Sequence, residues 1–231
     1  MPKADSGWRT SRFFLTAFWI IMLAASTYMI IVFLGPFFTR RPSQTLTSFD
    51  WSGYSVISDY INPQPVVTGV NGSWTVPKVT VSQTDAFSAA WIGIGGQLDE
   101  TLIQVGTEQD SISGTEEYSA WYELLPDLSI TITTMNIAPG DKITASITLA
   151  NSATNTWTIE ITDTTNHQKF QQNFHYNSSQ LSAEWIVERP TIDHSLGTLA
   201  NFGNTTFTTT SATMQGNVGS IKDFPFAQIT M

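Results

Sequence analysis

The 231-residue sequence contains no cysteine and only three histidines. The absence of cysteine excludes a disulfide-stabilised scaffold, a thiolate metal site, an iron–sulfur cluster and a cysteine nucleophile. The histidines stand at positions 167, 175 and 194, a spacing that matches no zinc-binding signature. Glycine-rich nucleotide motifs and a Gly-x-Ser-x-Gly elbow are also absent. We therefore expect neither a metal ion nor an organic cofactor.

Charged residues are scarce as well, and basic ones most of all. Charged side chains make up 13% of the chain, about half of the ~25% found in typical globular proteins. Residues 42–231 carry 18 acidic but only 5 basic side chains. Such a surface repels nucleic acid, so we expect no nucleic-acid partner. Few positive charges remain to repel one another once carboxylates are protonated, so the domain should tolerate acid.

The longest apolar run covers residues 13–38, which hold no charge and are flanked by arginines on both sides. A transmembrane helix needs about 20 apolar residues, whereas a cleaved signal peptide usually has about 7–15. The sequence therefore predicts a basic tail at residues 1–12 and a transmembrane anchor at residues 13–38. The domain that follows is expected outside the cell at the membrane surface. Secretion after cleavage of a signal peptide is the alternative.

Beyond a polar linker at residues 39–49, the sequence pattern is that of β-strands. Apolar residues alternate with polar ones over residues 143–149 and 157–161, as in strands with one buried face. Turn-forming pairs such as Asn71-Gly72 recur, and no segment after the linker has a helical period over three turns. We expect residues 50–231 to form one all-β domain, an antiparallel sandwich or barrel.

Polar side chains inside apolar strands are the candidates for chemistry. Strand alternation places Gln104 on the face opposite to Ile103 and Val105. Glu184 and Glu188 share one face of a strand but stand about 13 Å apart, too far for a glycosidase pair, which needs roughly 5–10 Å. Taken singly, each of these segments also fits a solvated sheet face.

Seven short segments follow one another between residues 50 and 215. They read Asp50-Trp-Ser-Gly53, Val70-Asn-Gly-Ser-Trp-Thr-Val-Pro77, Ala90-Trp-Ile-Gly-Ile-Gly-Gly96, Leu102-Ile-Gln-Val-Gly106, Tyr118-Ser-Ala-Trp-Tyr-Glu123, Ala183-Glu-Trp-Ile-Val-Glu188 and Ala200-Asn-Phe-Gly203. This succession resembles the glutamic peptidases, also called the eqolisin family. The Trp-Tyr-Glu and Ala-Glu-Trp-Ile-Val-Glu strings are its most specific elements.

The resemblance implies a concanavalin A-like sandwich of two large, bent antiparallel sheets with a cleft on one concave face. It also implies an endopeptidase that cleaves protein or peptide substrates in acid. Gln104 and Glu188 match the family's catalytic glutamine and glutamate. The positions that match its cleft are Trp91, Trp121 and Glu123, and Glu108 matches an acidic position shortly after the glutamine.

Two departures from the family pattern accompany these matches. Gly95 stands where many members carry aspartate, which removes a polar contact from the expected cleft. Leu125 replaces an aromatic residue, which we expect to alter the preference for substrate side chains.

The chemistry of peptide hydrolysis suits a glutamate and a glutamine. An ionised glutamate can take a proton from water and return it to the departing amine. The neutral glutamine amide offers an N–H to the oxyanion and a C=O to the water. We therefore predict that Glu188 and Gln104 hydrolyse peptide bonds through an activated water, with Glu123 as a partner of the pair and without a covalent intermediate.

A binding module without catalysis is the alternative function. Trp91 and Trp121 in a concave sheet would serve a site for peptide or carbohydrate at the cell surface equally well. The retention of both Gln104 and Glu188 in family-like contexts favours the peptidase.

Overall fold

The computed structural model describes residues 43–192 and 194–231, which form sixteen β-strands, one short 3-10 turn and no α-helix. The strands are β1 (Ser43–Thr47), β2 (Trp51–Ile57), β3 (Val67–Thr75), β4 (Ala89–Gly95), β5 (Leu102–Ile112), β6 (Thr115–Leu124), β7 (Ile130–Thr131), β8 (Lys142–Asn151), β9 (Thr156–Asp163), β10 (Gln168–His175), β11 (Ser182–Glu188), β12 (Thr191–Ile192), β13 (Ser195–Leu196), β14 (Thr208–Met214), β15 (Asn217–Gly219) and β16 (Phe226–Thr230). The 3-10 turn is Ile221–Asp223. The prediction of an all-β domain is confirmed.

Two large sheets pack face to face in the described residues. Sheet 1 has eight strands in the order β1-β16-β2-β11-β4-β5-β6-β7, and sheet 2 has six in the order β10-β9-β8-β3-β14-β15. Strands β12 and β13 form a separate hairpin. Neighbouring strands are antiparallel except β1, which runs parallel to β16. The predicted antiparallel sandwich is thereby confirmed.

The core lies between the two sheets and follows the alternation predicted from the sequence. Ile143, Ala145 and Ile147 of β8 are buried, as are Trp157, Ile159 and Ile161 of β9. They pack in one cluster with the inward side chains of β4, β5 and β11 from sheet 1. Burial of this apolar surface is the main stabilising contribution to the sandwich.

No helix in the described part of the chain is long and apolar enough to cross a membrane. This finding corrects the prediction of an extracellular domain anchored at the membrane. The segment on which that prediction rested, residues 13–38, lies outside the described residues, as does the basic tail at residues 1–12.

The predicted linker at residues 39–49 is corrected in part, because Ser43–Thr47 form strand β1. This strand pairs with β16 at the edge of sheet 1, and Leu46 packs against the cluster that contains Ile229. An edge strand with one apolar side chain carries no alternation that sequence reasoning could detect.

The predicted turn at Asn71-Gly72 is also wrong, because both residues lie inside β3. A Cβ on Gly72 would come within 2.9 Å of Cδ1 of Trp185. The indole Nε1 of Trp185 donates a hydrogen bond to the carbonyl of Asn71 at 2.7 Å. Glycine is thus explained here by the close approach of a core tryptophan rather than by a turn.

Candidate active site

The register of sheet 1 arranges the candidate residues in three rows that cross β2, β11, β4, β5 and β6. The first row is Ser55, Glu184, Gly93, Gln104 and Glu123; the second is Gly53, Ile186, Trp91, Gly106 and Trp121; the third is Trp51, Glu188, Ala89, Glu108 and Ser119. Because alternate residues of a strand share a face, all three rows lie on the side of sheet 1 opposite to the main core. Residue pairs far apart in the sequence are brought together in this way.

A cleft of about 240 Å³ opens over these rows. Five of the six predicted site residues line it, namely Gln104, Glu108, Trp121, Glu123 and Glu188. Sequence reasoning missed the rest of the wall, which comes from Ala89, from Ser129, and from Pro190 with strand β12, Thr191–Ile192. These residues carry no distinctive pattern, so no sequence signal marked them.

The sixth residue, Trp91, lies beneath the cleft instead of lining it. Its side chain is fully buried, and its Nε1 donates a hydrogen bond to Oε2 of Glu188 at 2.7 Å. Gly106 makes this arrangement possible, because a Cβ there would come within 2.5 Å of Cβ of Trp91. Trp91 therefore fixes the position of the Glu188 carboxylate.

Gln104 is held on β5 by the glutamate opposite to it on β6. Its Nε2 donates a hydrogen bond to Oε2 of Glu123 at 2.5 Å. Its Oε1 is buried and has no hydrogen-bond partner among the described residues. A buried carbonyl oxygen without a partner is costly, so it is a natural acceptor for a water or a substrate group.

Burial raises the pKa of every carboxyl group in the cleft. It raises the pKa of Glu188 to about 7, opposed by the Trp91 hydrogen bond and reinforced by the charges of Asp50 and Glu123. Burial also raises the pKa of Glu123, against the opposing hydrogen bond from Gln104. The pKa of Glu108 is raised by burial too, although Ser119 Oγ donates to its Oε2 at 3.1 Å.

Glu184 and Glu188 occupy different environments although they lie on the same strand. Glu184 is fully buried and does not line the cleft, and burial raises its pKa well above the ordinary value. The Ser182 side chain opposes this shift, but burial outweighs it. Burial favours the protonated form of such a carboxyl group, and of the two glutamates only Glu188 opens onto the cleft.

Gly95 departs from the family pattern for a local structural reason. Its φ of +92° lies in the left-handed region, and a Cβ there would come within 2.2 Å of the carbonyl oxygen of Thr101. The backbone of this chain therefore requires glycine at this position.

Trp51 lies beside the candidate site, and sequence reasoning did not single it out. It pairs directly with Glu188 across β2 and β11. Its ring meets that of Trp91 edge-on, with 5.0 Å between the ring centroids. The segment Asp50-Trp-Ser-Gly53 was a sequence signal for this residue, but the strand pairing that brings it to Glu188 is visible only in the structure.

No three His, Asp or Glu side chains of the described residues are grouped to hold a metal ion.

The fold is that of a glutamic peptidase. A crystal structure of scytalido-glutamic peptidase with a peptide-based transition state analog matches with a TM-score of 0.62 and 26% identity, over 75% of this chain and 84% of that one. Aspergillopepsin-2 of Aspergillus niger is 30% identical over 192 residues, 74% of this chain and 66% of the relative. Scytalidopepsin B of Scytalidium lignicola is 27% identical over 206 residues, 84% of this chain and 75% of the relative.

The Peptidase A4 family model matches residues 50–230, and the chain belongs to this family. The predicted membership of the glutamic peptidases is confirmed, and the protein is an enzyme of the peptide hydrolase class.

Proposed function

We propose that the protein is an acid-acting endopeptidase in which Glu188 and Gln104 activate a water molecule for direct attack on the substrate carbonyl. One observation carries this proposal. A carboxyl group with a pKa of about 7 and an amide with a free buried oxygen open onto the same cleft. The substrate is a protein or peptide, as in the related peptidase whose crystal structure holds a peptide-based analog.

Glu188 serves as general base and then as general acid. In its ionised form it takes a proton from the water, and it then donates this proton to the departing amine nitrogen. The hydrogen bond from Trp91 keeps the carboxylate oriented throughout. A pKa of about 7 makes Glu188 a stronger base than an ordinary glutamate while it still releases the proton in the second step.

Gln104 positions the water and stabilises the oxyanion. Its free Oε1 accepts a hydrogen bond from the attacking water. Its amide nitrogen carries two N–H groups, of which one binds Glu123 and the other is left for the developing negative charge. Trp121 Nε1 is also buried without a partner among the described residues and offers a further donor to the substrate.

The raised carboxyl pKa values have two opposing effects on the working pH range. Glu188 must lose its proton to act as base, so kcat/KM rises with pH up to about 7. The other buried carboxyl groups favour the fold when they are protonated, which sets an upper limit to the pH range. We therefore expect the enzyme to be both active and stable in mild acid.

Replacing Gln104 by Ala tests the role of the amide. We expect kcat to fall about 10²–10³-fold, as for the loss of an oxyanion donor elsewhere, with a much smaller change in KM. Gln171→Ala on the exposed face of β10 in sheet 2 is the matched control and should leave both constants unchanged. A Gln104→Ala enzyme that keeps more than a tenth of the wild-type kcat would contradict this role.

A further inference from the structure

A tyrosine hydroxyl interrupts the backbone ladder between β5 and β6 close to Gln104. In an antiparallel hydrogen-bonded pair, two residues opposite to each other exchange two backbone hydrogen bonds. At the end of this ladder, the N–H of Leu125 donates to the carbonyl of Leu102 at 2.9 Å. The return bond runs through Tyr176, because the N–H of Leu102 donates to the Tyr176 hydroxyl at 2.8 Å and this hydroxyl donates to the carbonyl of Leu125 at 2.9 Å. We call this arrangement the Tyr176 bridge.

Tyr176 reaches this position from the other side of the sandwich. It follows directly after β10 of sheet 2, and its ring packs against the core between the two sheets. Its backbone N–H donates to the carbonyl of Asn155 at 3.0 Å, and its carbonyl accepts a hydrogen bond from Nε1 of the buried Trp157 at 3.0 Å. The place of the hydroxyl is therefore set by sheet 2 and its loops rather than by the strands that the hydroxyl joins.

The hydroxyl is suited to join an N–H to a carbonyl. A phenol accepts a hydrogen bond and donates one at the same time, and the Tyr176 bridge uses both capacities. Burial raises the pKa of Tyr176 above its ordinary value of 10.0, so the hydroxyl keeps its proton throughout the acidic range. Two hydrogen bonds in series keep the two strands farther apart than one direct bond of about 2.9 Å would. The bridge therefore fixes how far β5 and β6 separate at this end.

The Tyr176 bridge lies one step along the ladder from the contact between Gln104 and Glu123. These two residues pair two positions beyond Leu102 and Leu125 on the same strands, and Nε2 of Gln104 donates to Oε2 of Glu123 at 2.5 Å. Hydrogen-bonded and non-hydrogen-bonded pairs alternate in an antiparallel ladder, so theirs is the next hydrogen-bonded pair. A change in the separation of the strands at the bridge is thus passed on to the Gln104 amide.

We propose that Tyr176 is a positioning residue of this enzyme, whose hydroxyl sets the separation of β5 and β6 and thereby the placement of the Gln104 amide. The inference rests on the proposed function of Gln104. The cleft is lined by other residues, so Tyr176 acts through the backbone of the two strands. Without the hydroxyl, the N–H of Leu102 and the carbonyl of Leu125 either approach each other or stay unpaired, and both changes displace Gln104.

Tyr176→Phe tests the inference, because it removes the hydroxyl and keeps the ring. Rates are measured on one internally quenched peptide that carries a bond cleaved by the wild type. We expect kcat to fall about tenfold and KM to stay within about twofold, since a misplaced amide weakens the transition state more than substrate binding. Circular dichroism and urea denaturation establish that the variant is folded under the assay conditions.

Tyr118→Phe is the matched control. The Tyr118 hydroxyl also accepts a hydrogen bond from a backbone N–H, that of Val79 at 3.2 Å. Tyr118 lies on β6 as well, but strand alternation places it on the core side, opposite to Trp121 and Glu123. We expect its loss to leave kcat and KM unchanged even if the free energy of unfolding falls.

A double variant separates positioning from a general loss of stability. If Tyr176 acts through Gln104, Tyr176→Phe should change kcat less than about twofold when Gln104 is already replaced by Ala. An equal tenfold loss in both backgrounds, an unchanged kcat in Tyr176→Phe alone, or a Tyr176→Phe variant that does not fold would overturn the inference and leave the proposed function intact. Wild-type protein that cleaves no peptide, or Gln104→Ala with full activity, would overturn the proposed function and the inference together.

Discussion

Replacing Glu188 by Gln lowers kcat about 10³-fold or more and leaves the protein folded. The substitution removes the group that accepts and returns the proton, a role worth roughly 10²–10⁴-fold in enzymes. Glutamine has nearly the same shape, and its Oε1 can still accept the hydrogen bond from Trp91. The loss should therefore appear in kcat at every pH, with little change in KM or in the circular dichroism spectrum.

Glu184→Gln is the matched control, because it makes the same change four residues earlier on the same strand. Glu184 is buried, holds its proton and does not line the cleft. Glutamine is a close substitute for a protonated glutamate, so we expect kcat within a few-fold of the wild type. If Glu188→Gln retained activity while Glu184→Gln abolished it, the assignment of the two glutamates would be reversed.

The free energy of unfolding should fall by several kcal/mol as the pH rises from about 4.5 to 7. The folded state raises the pKa of Asp110 and of Glu188 to about 7 each. Groups whose pKa is higher in the folded state stabilise the fold below their unfolded pKa, and this contribution is lost as the pH rises through the folded pKa. At about 1.4 kcal/mol per pKa unit, shifts from 3.8 and 4.5 to about 7 correspond to roughly 3–5 kcal/mol for each group, most of which is lost by pH 7.

Burial raises the pKa values of Glu108, Glu123 and Glu184 in the same direction, so their effects add to the trend. Urea denaturation at a series of pH values from 4 to 8 measures the free energy of unfolding. The midpoint of the transition and its dependence on urea concentration are followed together. Glu184→Gln removes one of these groups and should flatten the decline, whereas Glu160→Gln, on a partly exposed face, should not. A free energy of unfolding that is constant or rises between pH 4.5 and 7 would contradict the burial of these carboxyl groups.

The class of the fold could be predicted because the sandwich leaves a direct trace in the sequence. Strands β8 and β9 alternate between a buried and a polar face, so their period of two was visible. Strand β1 left no such trace, because it pairs through its backbone at a sheet edge with one apolar contact. Gly72 was misread as part of a turn because its role depends on Trp185, which lies far away in the sequence.

The candidate site could be predicted as a set of residues but not as an arrangement. The family resemblance pointed to Gln104 and Glu188, and the structure brings both to one cleft. That Trp91 lies below Glu188 and Trp51 beside it follows from the pairing of β11 with β2 and β4. Such pairing joins segments about a hundred residues apart, and local sequence patterns do not determine it.

The most direct test of the central claim is to incubate the full-length protein with a complex peptide library between pH 2 and 7. Mass spectrometry then identifies the products, with Glu188→Gln treated in parallel. A peptidase that uses Glu188 and Gln104 produces internal cleavages in acid, and these disappear in the variant. A folded wild-type protein that cleaves nothing at any pH, or a variant that gives the same products, would contradict the account. The first of these outcomes would favour a β-sandwich that binds its ligand without hydrolysing it.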